Sequence, residues 1–111
     1  MLQGMLTNRF QMFDFGEEAL NLLNYNASSP PVYDLSQIPA DFHIALFHGS
    51  LDYLADPDDV SRLINELPVG AVVFDSLQLS YAHLDYTWGY NANKLVYRDA
   101  VRLLKEYAKR N

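Results

Sequence analysis

Four aspartates, Asp52, Asp56, Asp58 and Asp59, follow an apolar run in "FHGSLDYLADPDDV", and a histidine, His83, stands downstream in "SYAHLDYTWGY". A carboxylate and an imidazole can form a base-and-orienter pair. The carboxylate holds the ring in one tautomer and stabilises the imidazolium once the ring has taken a proton. Three of the four acids have a simpler use. Asp56 suits a helix N-cap, Pro57 the first helical position and Asp59 the acid of a capping box, while Asp58 gains from the field at the same helix end. Asp52 is not explained in this way. It lies just past the carboxyl end of an apolar strand, where catalytic groups gather in open α/β sheets.

The elements that must carry these two residues are legible in outline. "FHIALF", Phe42 to Phe47, predicts a short strand buried on both faces. "DPDDVSRLINELP" predicts a helix with Val60, Leu63, Ile64 and Leu67 on one stripe and Pro68 closing it. "GAVVFDSLQL" predicts a second buried strand around Val72, Val73 and Phe74, with His83 near its carboxyl end. "NKLVYRDAVRLLKEYAKRN" predicts a last helix that places Val96, Ala100, Leu103, Leu104 and Tyr107 on one face. Lys105, Lys109 and Arg110 at its end complement the helix dipole. Strand, helix, strand, helix is an α/β order, and a parallel pair joined by a right-handed crossover would put Asp52 and His83 on the same rim of the sheet. Two parallel strands make a poor sheet by themselves, so the unit is expected to be one end of something larger.

Ahead of this unit, residues 1–40 form an N-terminal arm and connector. "EEALNLLNY" predicts two or three helical turns, and Pro30, Pro31 and Pro39 forbid a long helix in "NASSPPVYDLSQIPADF". Residues 41–111 make the compact remainder. With 111 residues, half of them hydrophobic, the chain is too apolar for disorder and too small to hide every apolar side chain, which predicts a partner or a second copy. A net charge of -6 offers no basic face for nucleic acid. No cysteine is present, so thiolate chemistry is excluded. No stretch approaches the ~20 apolar residues of a transmembrane helix. The opening "MLQGMLTNRFQMFDFG" lacks the charged and apolar regions of a secretory signal, and no targeting segment is expected there.

Other residues have plainer readings. His43, inside the first predicted strand, reads as a core histidine. His48 could join His43 and Asp52 around a metal only if the two rings shared a face, and a spacing of five on a strand opposes them, so no metal is expected. Asp85 is expected to bind backbone amides of its own loop. Ser50 sits in the turn after the strand without the strained geometry of an exposed nucleophile. Asn26-Ala27-Ser28 is a candidate glycosylation acceptor, though such triplets arise by chance.

Taken together, "FQMFDFG", "PPVYDLSQI", "HGSLDYLADPDDVSRLINELP" and "AHLDYTWGYNA" resemble the C-terminal part of an acid lipase of the gastric and lysosomal type, within the α/β-hydrolase superfamily. The resemblance runs from roughly Arg9 to Lys105. It implies a partial α/β-hydrolase fold, a secreted or lysosomal setting, and a triacylglycerol or cholesteryl ester as substrate, with no metal or organic cofactor. It also implies that Asp52 and His83, the latter in the H-L-D-[FY] motif, are two members of a Ser-His-Asp triad. Tyr86, Trp88 and Tyr90 would line an acyl pocket. The third triad member in that family is a serine in a G-x-S-x-G elbow. Here the glycines are Gly4, Gly16, Gly49, Gly70 and Gly89, and no two stand four positions apart. The chain is therefore expected to carry acid and base without a nucleophile, to be inactive alone, and to need the missing N-terminal part of the hydrolase. The competing expectation is a non-catalytic structural or interaction protein that keeps half the fold and self-associates, as a dimer or higher homo-oligomer, through its open sheet edge.

Overall fold

The structure, a computed structural model, describes residues 9–109, so the expected role of Arg110 lies outside the described residues. The chain forms two compact units, one reaching to Leu35 and one from Ser36 onward.

In the first unit the expected helical turns form α1 (Glu18–Tyr25). Asn26 ends it in the left-handed region at φ 53°, a conformation that asparagine tolerates better than most residues, and its N–H donates to the Leu22 carbonyl. The buried residue of α1 is polar: Asn21 donates to Asp14 Oδ1 at 2.9 Å and to the Ser28 carbonyl at 3.3 Å, and accepts from Phe15 N at 3.1 Å. One asparagine thus ties the segment before α1 to the segment after it.

The second unit holds the predicted sheet. β1 (Ile44–Gly49) and β2 (Val72–Gln78) pair in parallel, with Leu46 opposite Asp75 and His48 opposite Leu77. β1 starts later than "FHIALF" implies because the Phe42 N–H is spent on the Pro39 carbonyl in a turn. The expectation of burial on both faces is corrected: Ala45 is exposed, and Ile44, Leu46 and Phe47 are half-buried. The sheet among the described residues has two strands, so β1 lacks the flanking strand that would cover it. The same openness overturns the core reading of His43. It precedes β1, is exposed, and lays its ring 4.6 Å from that of Tyr107.

Helix α2 (Pro57–Glu66) begins as its sequence predicts, with Asp56 as N-cap accepting from Asp58 N at 2.8 Å and Pro57 in the first position. The reciprocal half of the capping box does not form, because Asp59 pairs with Arg62 one turn on instead of reaching back. Leu67 is buried and Val60, Leu63 and Ile64 are half-buried. Asp56→Ala should cost about 1 kcal/mol, read from the urea midpoint. A loss below a few tenths would mean the cap is idle.

After β2 comes a single turn, α3 (Asp85–Trp88), then a wide turn at Asn93–Tyr97 that runs directly into α4 (Arg98–Tyr107). In the wide turn the Arg98 N–H reaches back five residues to the Asn93 carbonyl. Val96 and Leu103 are buried as predicted, but Leu104 is 71% exposed. It borders an apolar groove of about 500 Å³, shared with Ala45, Phe47, Leu103 and Tyr107, that nothing among the described residues fills. Arg102 bridges Asp99 and Glu106 and lies over the Phe74 ring of β2, fixing α4 to the sheet. No helix among the described residues is long and apolar enough to cross a membrane.

Candidate active site

The parallel pairing brings the carboxyl ends of β1 and β2 to one rim, and the loops that leave them are stitched together. Ser50 N donates to the Gln78 carbonyl at 3.1 Å, Ser50 Oγ to the Leu79 carbonyl at 2.6 Å, and Leu51 N to the Tyr81 carbonyl at 3.1 Å. Ser50 is thereby consumed as a turn residue, in keeping with its plain reading.

Asp52 follows at once and is 3% exposed. Its Oδ1 accepts from the backbone N–H groups of Leu54 and Ala55, both at 2.8 Å, so the carboxylate closes its own loop. Its Oδ2 lies 3.0 Å from His83 Nδ1. Burial alone would raise the Asp52 pKa. The bonds from Ala55, His83 and Leu54, with the neighbouring imidazole charge, outweigh it and hold the carboxyl below its ordinary value. An ionised carboxylate only accepts, so the 3.0 Å contact assigns the ring proton to Nδ1 and leaves Nε2 as the basic nitrogen. Half of the His83 side chain is exposed, enough to meet an incoming group.

The histidine loop has its own supports. Asp85 Oδ2 accepts from Ala82 N at 2.7 Å, the local role its position predicts. Tyr97, at the end of the wide turn, donates its hydroxyl to the Tyr86 carbonyl at 2.5 Å. Tyr86 is half-buried, with its ring edge-on to Tyr81 at 5.2 Å. Burial first, then the charges of Asp52, Tyr81 and Asp85, push its phenol up to about 12. Its hydroxyl is buried with no partner among the described residues. Trp88 is 76% exposed and Tyr90 fully so. Asn26, in the other unit, is exposed at the end of α1.

A second imidazole–carboxylate contact was not legible in the sequence: His48 Nε2 lies 2.8 Å from Asp75 Oδ1 across the two strands. Only the strand register, with Leu46 opposite Asp75, places those side chains on one face. No group of three or more histidine or carboxylate side chains that could hold a metal occurs among the described residues. The parts that sequence reasoning missed are the supports: Gly49, Tyr81, Asn91 and Tyr97. Gly49 alone left a trace, as a glycine at a strand's carboxyl end.

No protein-family model matches the chain. Among individual proteins, it is 35% identical over 100 residues to the gastric triacylglycerol lipase of Rattus norvegicus, which covers 90% of this chain and 24% of that one. It is 35% identical over 102 residues to the lysosomal acid lipase/cholesteryl ester hydrolase of the same animal, with 90% and 24% covered. Against lipase member N of Homo sapiens it is 30% identical over 102 residues, with 92% and 25% covered. Over about nine-tenths of its length, and about a quarter of theirs, the chain is thus a relative of the gastric and lysosomal acid lipases and of lipase N.

Proposed function

We propose that this chain supplies the acid and the base of a lipid ester hydrolase whose nucleophile lies on another segment. In that enzyme a serine would attack the ester carbonyl. His83 Nε2 takes the serine proton and passes it to the leaving alcohol, and Asp52 holds the ring and stabilises the imidazolium. Tyr86 and Trp88 would form part of the wall against the acyl chain. Residues 41–111 would be one end of an α/β-hydrolase sheet, preceded by the arm and connector. The observation that carries this reading is the 3.0 Å contact between His83 Nδ1 and a buried Asp52 whose other oxygen is held by two backbone N–H groups. Support for a triacylglycerol or cholesteryl ester comes from the names of the relatives. The reaction so written needs no metal or organic cofactor. In a secreted or lysosomal enzyme the exposed Asn26 would be a glycan acceptor.

A second reading is favoured by one observation. Leu79 is 77% exposed and Val69 97%, on the edges of an already small core, and such surface invites a second copy of the chain. In that reading the protein is a self-associating, non-catalytic remnant of the fold.

Native material captured with an antibody to "RLLKEYAKRN" separates the two. The first reading expects a species several times heavier than 12.7 kDa that labels with a fluorophosphonate and cleaves a triacylglycerol or cholesteryl ester. A 12.7 kDa species that neither labels nor cleaves would overturn it and leave the second.

A further inference from the structure

Tyr81 touches both loops of the site, and the base chemistry above makes no use of it. Its backbone carbonyl receives the Leu51 N–H, one residue before Asp52. Gly49 lets that carbonyl come close: a Cβ at residue 49 would stand 2.8 Å from the Tyr81 carbonyl carbon. The Tyr81 ring, 3% exposed, meets Tyr86 edge-on three residues beyond His83, and the hydroxyl donates to Asn91 Oδ1 at 2.6 Å. Asn91 in turn leads into the wide turn before α4, its carbonyl accepting from Lys94 N and Leu95 N.

We propose that Tyr81 is a positioning residue: its carbonyl sets the loop of Asp52, its ring and its hydroxyl bond to Asn91 set the loop of His83, and the imidazole–carboxylate contact is held in register by this one residue. The proposal rests on the reading of Asp52 and His83 as acid and base. A buried phenol ordinarily keeps a partner for its O–H, and the choice of Asn91 as partner couples the histidine loop to the wide turn that runs into α4. Burial, followed by the nearby Asp85 and Tyr97, pushes the Tyr81 phenol up, so it stays a donor across the working range. A ring set against Tyr86 and pinned at Asn91, on a residue whose carbonyl holds Leu51 N, restricts the rocking that would open a single 3.0 Å contact.

The test uses the full chain labelled with ¹⁵N in its histidine rings. The wild-type protein should show a protected His83 Nδ1–H that disappears in Asp52→Asn. Its absence from the wild type would overturn both the acid–base reading and this proposal. Tyr81→Phe, which removes one oxygen, should speed exchange of that proton about tenfold, the effect of one lost hydrogen bond. The His48 ring proton facing Asp75, on the sheet, should not respond. Unchanged exchange at His83 would overturn the proposal while leaving the acid–base reading intact. Should Tyr81→Phe release both histidines by unfolding the unit, Asn91→Ala, at an exposed position, decides instead. It should accelerate His83 alone, and Asn91→Asp, which restores an acceptor, should slow it again. Exchange indifferent to both substitutions would count against Tyr81 as the positioning group.

Discussion

Asp52→Asn, in a hydrolase assembled around this chain, is expected to lower kcat about 10⁴-fold with little change in KM. The reason is the tautomer. Asparagine keeps the shape of the side chain, and its carbonyl oxygen can still accept from Leu54 N and Ala55 N, which hold Asp52 Oδ1 at 2.8 Å. The amide nitrogen must then face His83 Nδ1, where a carboxylate oxygen now stands at 3.0 Å. A donor facing Nδ1 forces the ring proton onto Nε2, and the nitrogen that should take the serine proton is already occupied. Steady-state kinetics on a soluble ester would check this, and a loss below about tenfold would remove Asp52 from the reaction. The carboxylate also has a signature in stability. Because its folded pKa is lowered, Asp52 adds stability that is fully present above the unfolded value and is lost as pH falls through the folded one. The stability gap between wild type and Asp52→Asn should therefore be widest near neutrality and shrink below about pH 4.

Gly49→Ala is expected to destabilise the second unit by about 3 kcal/mol or more. The added Cβ would fall on the Tyr81 carbonyl oxygen, 2.8 Å from its carbon and 3.2 Å from its Cβ. Two of these are backbone atoms, which cannot rotate away, and the same carbonyl is engaged by Leu51 N. Relief would require parting the two loops and so the acid from the histidine. Gly70→Ala is the comparison. Its φ of +90° strains any other residue, but open space surrounds the position, so the cost should stay near 1 kcal/mol. Urea unfolding of the two variants distinguishes close approach from backbone conformation, and equal losses would remove the special role given to Gly49.

The parts of this protein that local rules govern could be read directly from residue order. The start of α2 at Asp56-Pro57 and its apolar stripe follow from contacts within one or two turns, and the structure has both. The parallel strand pair follows from two apolar runs separated by a helix of the right length. Asp52 and His83 could be singled out because one acid had no capping role and both residues follow strand ends. Burial was another matter. The patterning of "FHIALF" expects neighbours on both faces, and the two-stranded sheet does not provide them, so His43 is exposed against Tyr107. The pairing of His48 with Asp75 depends on strand register, and the loss of Asp59 from the capping box depends on a competing Arg62.

Residue order alone carries the succession of elements, the Asp56 cap of α2 and the choice of one acid and one histidine just past strand ends, because each depends on residues within a few positions of one another. Only the tertiary structure sets the distance between those two groups, where the two loops meet at Gly49 and the Tyr81 carbonyl. A 3.0 Å contact between loops that leave different strands is set by backbone approach and by partners far along the chain, and no periodicity encodes either.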